Sequence, residues 1–286
     1  MQWGGRRGST NIEDRRGLGG GTIAGGGCLT LIALLVALFM GYDPSGLFPG
    51  NDTEPGAPSG TRPEGSPAEE QLKQFTSVVL ADTEDVWNEV FRSNLGKDYR
   101  EPTLVLFSGY GQSGCGFASS ATGPFYCPND EKVYIDLQFL QEMATRFRAA
   151  GDFAQAYVIA HEIGHHVQKQ LGVMNEVNSR RRRASEVESN RLSVRLELQA
   201  DFLAGVWAHY DQKMKNVLEP GDVEEALRAA NSVGDDRLQK RAQGYVVPDS
   251  FTHGTSEQRA RWFRLGFETG DLSRMMDTFN LSYDQL

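Results

Sequence analysis

His161-Glu162-Ile163-Gly164-His165 sets two histidines four residues apart with a glutamate beside the first. On an α-helix, residues four apart share one face, so both imidazoles can turn neutral nitrogens toward a single ion. Glu162 stands one residue round, within reach of a water on that ion without ligating it. A zinc with three protein ligands and one water is a hydrolytic centre. The ion lowers the pKa of the water to about 7 and polarises a carbonyl oxygen. His161 and His165 are therefore expected to hold Zn2+, with Glu162 as general base. His166 falls off the ligand face and is expected to face solvent or to back a ligand.

Two histidines and a water leave such a site one ligand short. Downstream, Glu197-Leu198-Gln199-Ala200-Asp201 again places two carboxylates four apart, among Leu196, Phe202, Leu203, Val206 and Trp207. Glu197 is the expected third ligand, and Asp201 the acceptor for the free N–H of a ligating histidine. Glu186 and Glu188 are alternative ligands, in a charged stretch after the basic run at 180–183. That run reads as a solvated connection between the metal helices, or as an exosite for acidic partners. His253, in Phe251-Thr252-His253-Gly254-Thr255-Ser256, lies at a turn before the last helix. It is expected to donate to the developing oxyanion; a surface histidine is the alternative.

The elements that must carry these residues can be read from spacing. Asp152 with Gln155 looks like an N-cap and capping box, and Gly172 like a stop. Between them Ala156, Ile159, Ile163, Val167 and Leu171 form a helical stripe, opposite His161 and His165. A long helix is expected over 186–210, where Ala200, Ala204 and Gly205 would let two helices approach closely. Further helices are expected over 72–95, 138–149, 223–243 and 256–270, and strands over 103–107 and 132–137.

The chain resembles the bacterial neutral zinc metallopeptidase family. The matching stretches are Trp3-Gly4-Gly5-Arg6-Arg7, Glu13-Asp14-Arg15-Arg16-Gly17, residues 161–168 and 197–205, and His253-Gly254 with Arg259, Trp262 and Phe263. The pair of motifs also resembles gluzincins, especially the CAAX prenyl protease and heat-shock protease families. In those, a histidine beyond the third ligand, in a His-Pro context, helps stabilise the transition state; here Gly254 follows His253. The resemblance implies an α+β, predominantly helical zincin-like domain with a small antiparallel sheet. Zincins commonly lay an extended peptide along an edge strand, for which Val133–Asp136 is the candidate and an ordinary buried strand the alternative.

Composition bounds the partners and the compartment. The net charge is -9. Residues 1–21 carry four Arg against Glu13 and Asp14, a net +2, leaving -11 on the rest. An acidic body argues against nucleic acid. Thr22 to Met40 is uncharged and about long enough to span a bilayer. With Arg6, Arg7, Arg15 and Arg16 before it, the positive-inside rule keeps the N-terminus cytoplasmic. The expected organisation is a cytoplasmic segment 1–21, a transmembrane helix 22–41, a flexible linker 42–68 and a metallopeptidase domain 69–286. That domain would face the periplasm or exterior from the bacterial inner membrane; a cleavable signal peptide is the rival. Cys115 and Cys127 are expected to form a disulfide in an oxidising compartment, a metal site being the rival.

The combined expectation is a membrane-anchored zinc metallopeptidase acting on protein or peptide substrates. Two alternatives stand beside it: a non-proteolytic zinc-binding assembly factor, and a zinc amidase acting on cell-wall peptide.

Overall fold

Ser66 starts the first long helix, Pro67–Val90 (α1). Its hydroxyl accepts from the Glu69 N–H, and the Glu69 side chain accepts from the Ser66 N–H. Pro67 takes the first position, where no N–H partner is needed. Phe75, Val79, Val86, Trp87 and Val90 are buried along one face, and a π-helical turn at Phe91–Leu95 closes the helix at Gly96. The computed structural model describes residues 1–16, 66–119, 123–146 and 151–286.

The described residues form six strands, of which only β2 and β6 are apolar runs: β1 Ile12–Asp14, β2 Thr103–Phe107, β3 Tyr110–Ser113, β4 Gly116–Ser119, β5 Phe125–Cys127 and β6 Lys132–Asp136. Four of them form one sheet in the order β1-β2-β6-β5. β1 and β6 both run parallel to β2, and only β5 is antiparallel to its neighbour β6. The sheet is thus mixed rather than antiparallel as expected. Its central strands, Leu104–Phe107 and Val133–Ile135, are buried, and a strand covered on both faces carries no polar alternation to reveal its pairing. β6 lies between β2 and β5, so Val133–Asp136 is not an edge strand; β5 is. A separate antiparallel hairpin joins β3 and β4. Cys115 in its turn is bonded to Cys127 of β5, the expected disulfide.

Met1–Arg15 and Gly65–Leu286 form one unit. β1 is paired residue by residue with Leu104, Val105 and Leu106 of β2. The Met1 ammonium lies 2.6 Å from Asp152 and 3.3 Å from Asp222, and Arg6 lies 2.5 Å from Asp82. A segment hydrogen-bonded into the domain cannot lie across a bilayer from it. This overturns the expected localisation, with a cytoplasmic N-terminus and the domain on the far side. It also moves residues 1–15 out of a separate segment and into the domain. Among the described residues, no helix is long and apolar enough to cross a membrane. The expected span at 22–41 and the tether as far as residue 65 lie outside the described residues.

The remaining helices are α2 Leu137–Arg146, α3 Asp152–Gln170, α4 Val173–Arg181, α5 Glu186–Lys215, α6 Asp222–Ser232, α7 Asp235–Gln243, α8 Ser256–Thr269 and the short α9 Asp277–Asn280. α3 is buried around nearly its whole circumference, enclosed by α1, α5 and α6. Its N-cap is Gly151 rather than Asp152, because the Asp152 carboxylate is taken by Met1 and Gln155 reaches back to the Leu140 carbonyl. α5 and α8 cross in close contact. A Cβ on Gly205 would come within 2.1 Å of the Phe263 carbonyl oxygen, and one on Gly266 equally near that of Phe202. The helix expected over 223–243 is broken at Val233–Gly234. There Ser256 inserts, its hydroxyl oxygen 2.7 Å from the Asn231 carbonyl and 2.8 Å from the Asp236 carboxylate, which also accepts the Ser256 backbone N–H. Thr255, not Ser256, caps α8.

Candidate metal centre

α3 contributes His161 and His165, and α5 contributes Glu197. The helices meet closely at Gly164, where a Cβ would lie 3.0 Å from the Ala200 carbonyl oxygen. His161 Nε2 is 3.1 Å from Glu197 Oε2, and His165 Nε2 is 3.4 Å from Glu197 Oε1. One ligand atom from each of the three residues lies within 4.8 Å of the others. Glu186 and Glu188 are exposed in the first turn of α5. At 1.5 Å per residue they are roughly 14–16 Å along the helix from Glu197, out of reach of the histidines.

Each histidine is oriented from behind by a different group. His161 Nδ1 is 2.8 Å from Asp201 Oδ1. Asp201 is fully buried, and it also accepts from the Tyr157 hydroxyl at 2.5 Å and from Arg259 Nε and Nη2 at 2.8 and 3.0 Å. Arg259 Nη2 donates in addition to the Tyr157 oxygen at 3.3 Å. His165 Nδ1 is 2.8 Å from Gln168 Oε1. The Gln168 amide is fixed, since its Nε2 donates to the Leu196 carbonyl at 2.7 Å and to Gln199 Oε1 at 3.0 Å. Gln199 is fixed in turn by donating to the Met275 carbonyl. A backbone carbonyl only accepts, so the Gln168 oxygen must face His165 and Nδ1 must carry the proton.

With both Nδ1 atoms donating, each Nε2 is left to face the Glu197 carboxylate, where it carries a proton or, with that proton displaced, binds a metal ion. A bare lone pair there would be repelled by the carboxylate, so the place between them suits a cation, a proton or a metal ion. The electrostatics agree. Burial pushes the His161 imidazole down, but Asp201 and Glu197 outweigh it and carry its pKa up to about 10. Burial likewise opposes protonation of His165, and Glu197 overcomes it. Burial raises the Glu197 carboxyl, yet the two histidines hold it well below its ordinary range. Asp201 is raised by burial and brought below its ordinary value mainly by Arg259. Three carboxylates (Glu162, Glu197 and Asp201) stand against one guanidinium, a local charge that a divalent cation balances. Two imidazoles and a carboxylate form a donor set suited to zinc with one position open, so the residues fit the metal.

A cleft of about 730 Å³ opens over this cluster, lined by Glu162, by β5 at Phe125 and Tyr126, and by His253 and Arg181. Glu162 is largely buried. Its neighbour His166 does not face solvent; it is buried between Tyr99 and Tyr126. His166 Nε2 lies 2.7 Å from the Arg100 carbonyl, and burial lowers the pKa of the ring. His253 lines the cleft with its side chain half exposed. Asp235 holds it there, accepting the backbone N–H groups of Thr252, His253 and Gly254 and contacting His253 Nδ1 at 3.2 Å. Nε2 is left for the cleft. The hydrogen bond to Asp235 raises the His253 pKa against the opposing effect of burial.

Sequence reasoning gives no role to Tyr157, Gln168, Asp235 or Arg259. Tyr157 is the one with a local signal, standing four residues before His161 on the same helical face.

The family described as "Putative neutral zinc metallopeptidase" matches residues 1–279. The uncharacterized protein YpfJ of Escherichia coli (strain K12) is 51% identical over 281 residues, covering 95% of this chain and 96% of its own. The uncharacterized protein Rv2575 of Mycobacterium tuberculosis (strain ATCC 25618 / H37Rv) is 45% identical over 192 residues, 64% of each chain. No solved structure matches. By this match, which spans all but the last residues, the chain belongs to the neutral zinc metallopeptidase family.

Proposed function

We propose that the chain hydrolyses peptide bonds, with His161 and His165 holding zinc through Nε2, Glu197 through a carboxylate oxygen, and Glu162 as general base. The observation that carries this reading is the convergence of His161, His165 and Glu197 within 4.8 Å at a cleft that Glu162 also lines. Zinc, when bound, supplies Lewis acidity, polarising a carbonyl oxygen and acidifying water. Glu162 makes no hydrogen bond or ion pair among the described residues, so its carboxylate is available to accept a proton. As water adds to the carbonyl carbon, a Glu162 oxygen takes its proton; as the C–N bond breaks, the same oxygen returns that proton to the leaving amine. His253 donates from Nε2 to the developing oxyanion, its ring steadied by Asp235. Asp201 and Gln168 keep the Nδ1 protons in place, so each Nε2 stays directed at the metal position. Phe125, Phe139 and Leu196 exclude water and receive apolar side chains.

Glu162→Gln tests the reading. It keeps the three ligands and removes the base, so the zinc content and thermal unfolding of the purified full chain should be unchanged while peptide hydrolysis is lost. An undiminished rate in that variant rejects the mechanism. His253→Ala should keep zinc and lose turnover by roughly two orders of magnitude, the scale of one oxyanion donor.

A further inference from the structure

Arg181 ends α4 on the wall of the cleft, and its charge is uncommitted. The other guanidinium lining the cleft, Arg259, is bound on two nitrogens to Asp201. Several arginines elsewhere are neutralised by carboxylates, such as Arg15 by Glu13, Arg92 by Glu89 and Arg274 by Asp277. Arg181 makes no ion pair with a carboxylate among the described residues, in a chain whose acids outnumber its bases by nine. Its Nε donates to the Ser189 hydroxyl at 3.3 Å. That contact steadies the side chain and leaves both terminal NH2 groups free. Of the basic run at 180–183, Arg180, Arg182 and Arg183 are exposed, while Arg181 alone is half-buried and lines the cleft.

We propose that Arg181 is a specificity-determining residue that binds a carboxylate of the substrate, so that the preferred peptide is apolar apart from one negative charge. The apolar requirement comes from Phe125, Phe139, Val158, Met174, Leu196 and Leu238 on the same walls. A guanidinium fork matches a carboxylate with two parallel hydrogen bonds, and the partly enclosed cleft strengthens the pairing relative to open solvent. The carboxylate is an acidic side chain or the C-terminus of the peptide; both present the same group. The substrate class rests on the peptidase reading above, whereas the charge preference is a binding property that can be measured without turnover.

The experiment uses the full chain carrying Glu162→Gln, so that bound peptide stays intact, and fluorescein-labelled apolar octapeptides read by anisotropy. One series walks a single Glu along an amidated peptide, a second carries Gln at the same positions, and a third carries Gln with a free C-terminal carboxylate. At one position, or in the free-terminus series, the carboxylate peptide should bind on the order of tenfold more tightly than its neutral match; the arm that shows this identifies the source of the carboxylate. Arg181→Gln should erase the difference without shifting thermal unfolding, and Arg181→Glu should favour a Lys peptide instead. Arg181→Lys should keep part of the preference and lose it as salt is raised. Equal binding of charged and neutral peptides, binding of none, or a preference that survives Arg181→Gln each overturns the proposal. If the peptides discriminate as stated but the unsubstituted chain cleaves none of them, the carboxylate site stands and the peptidase reading falls.

Discussion

His161 and His165 stand one turn apart on α3 and are backed by different chemistry. Behind His161 is a charged arrangement, a fully buried Asp201 gripped by Arg259 and Tyr157. Behind His165 is a neutral amide relay, Gln168 to Gln199, anchored on the carbonyls of Leu196 and Met275. Both fix the same tautomer. The ionic arrangement also adds negative charge behind the imidazole and makes it a stronger base, but it must be complete, because a buried carboxylate stripped of its partner is very costly. The amide relay orients without charge, so it adds nothing to the local balance of three carboxylates against one guanidinium. One imidazole is tuned and the other is only aimed.

Breaking the ionic side should have the largest effect. Arg259→Met leaves Asp201 buried without its countercharge and should cost about 3–5 kcal/mol of stability, read by denaturant unfolding; a loss below 1 kcal/mol would mean that Asp201 does not depend on Arg259. The next effect is one of pH. In the metal-free chain the folded His161 pKa of about 10 lies above its ordinary 6.5. Its stabilisation is therefore fully present below about pH 6.5 and is lost as pH rises toward 10. The metal-free Tm should fall over that window by on the order of 5 °C, and less steeply in Asp201→Asn; an equal slope in both would remove Asp201 as the cause. On the loaded chain, Asp201→Asn should weaken zinc by about 10–100-fold in competition titrations. Gln168→Leu should cost least, about tenfold at the low end of that range. If it costs more than Asp201→Asn, the contrast between the two histidines is reversed.

Local spacing made the candidate metal residues legible. Four-residue periodicity places His161 with His165 and Glu197 with Asp201 on single helix faces, and the strands at Thr103–Phe107 and Lys132–Asp136 are compact apolar runs. Cys115 and Cys127 stood out because no other cysteine or histidine lay near them. What escaped depends on partners distant in sequence. Arg259 reaches Asp201 across 58 residues, and nothing near it in sequence marks it as buried. β1 is three residues long and exists only through pairing with β2, so Arg6, Arg7, Arg15 and Arg16 read more simply as charges flanking an apolar span. In fact Arg6 pairs with Asp82, and Arg7 with Asp85. The break between α6 and α7 is likewise imposed by Ser256 from another part of the chain.

The central claim is that His161, His165 and Glu197 together form one zinc site. The most direct measurement is zinc stoichiometry of the purified full chain by elemental analysis, with Glu197→Gln, Glu186→Gln and Glu188→Gln measured alongside. One zinc per chain is expected, lost in Glu197→Gln and kept in the other two. Zinc retained in Glu197→Gln, or lost in Glu186→Gln or Glu188→Gln, would contradict the account.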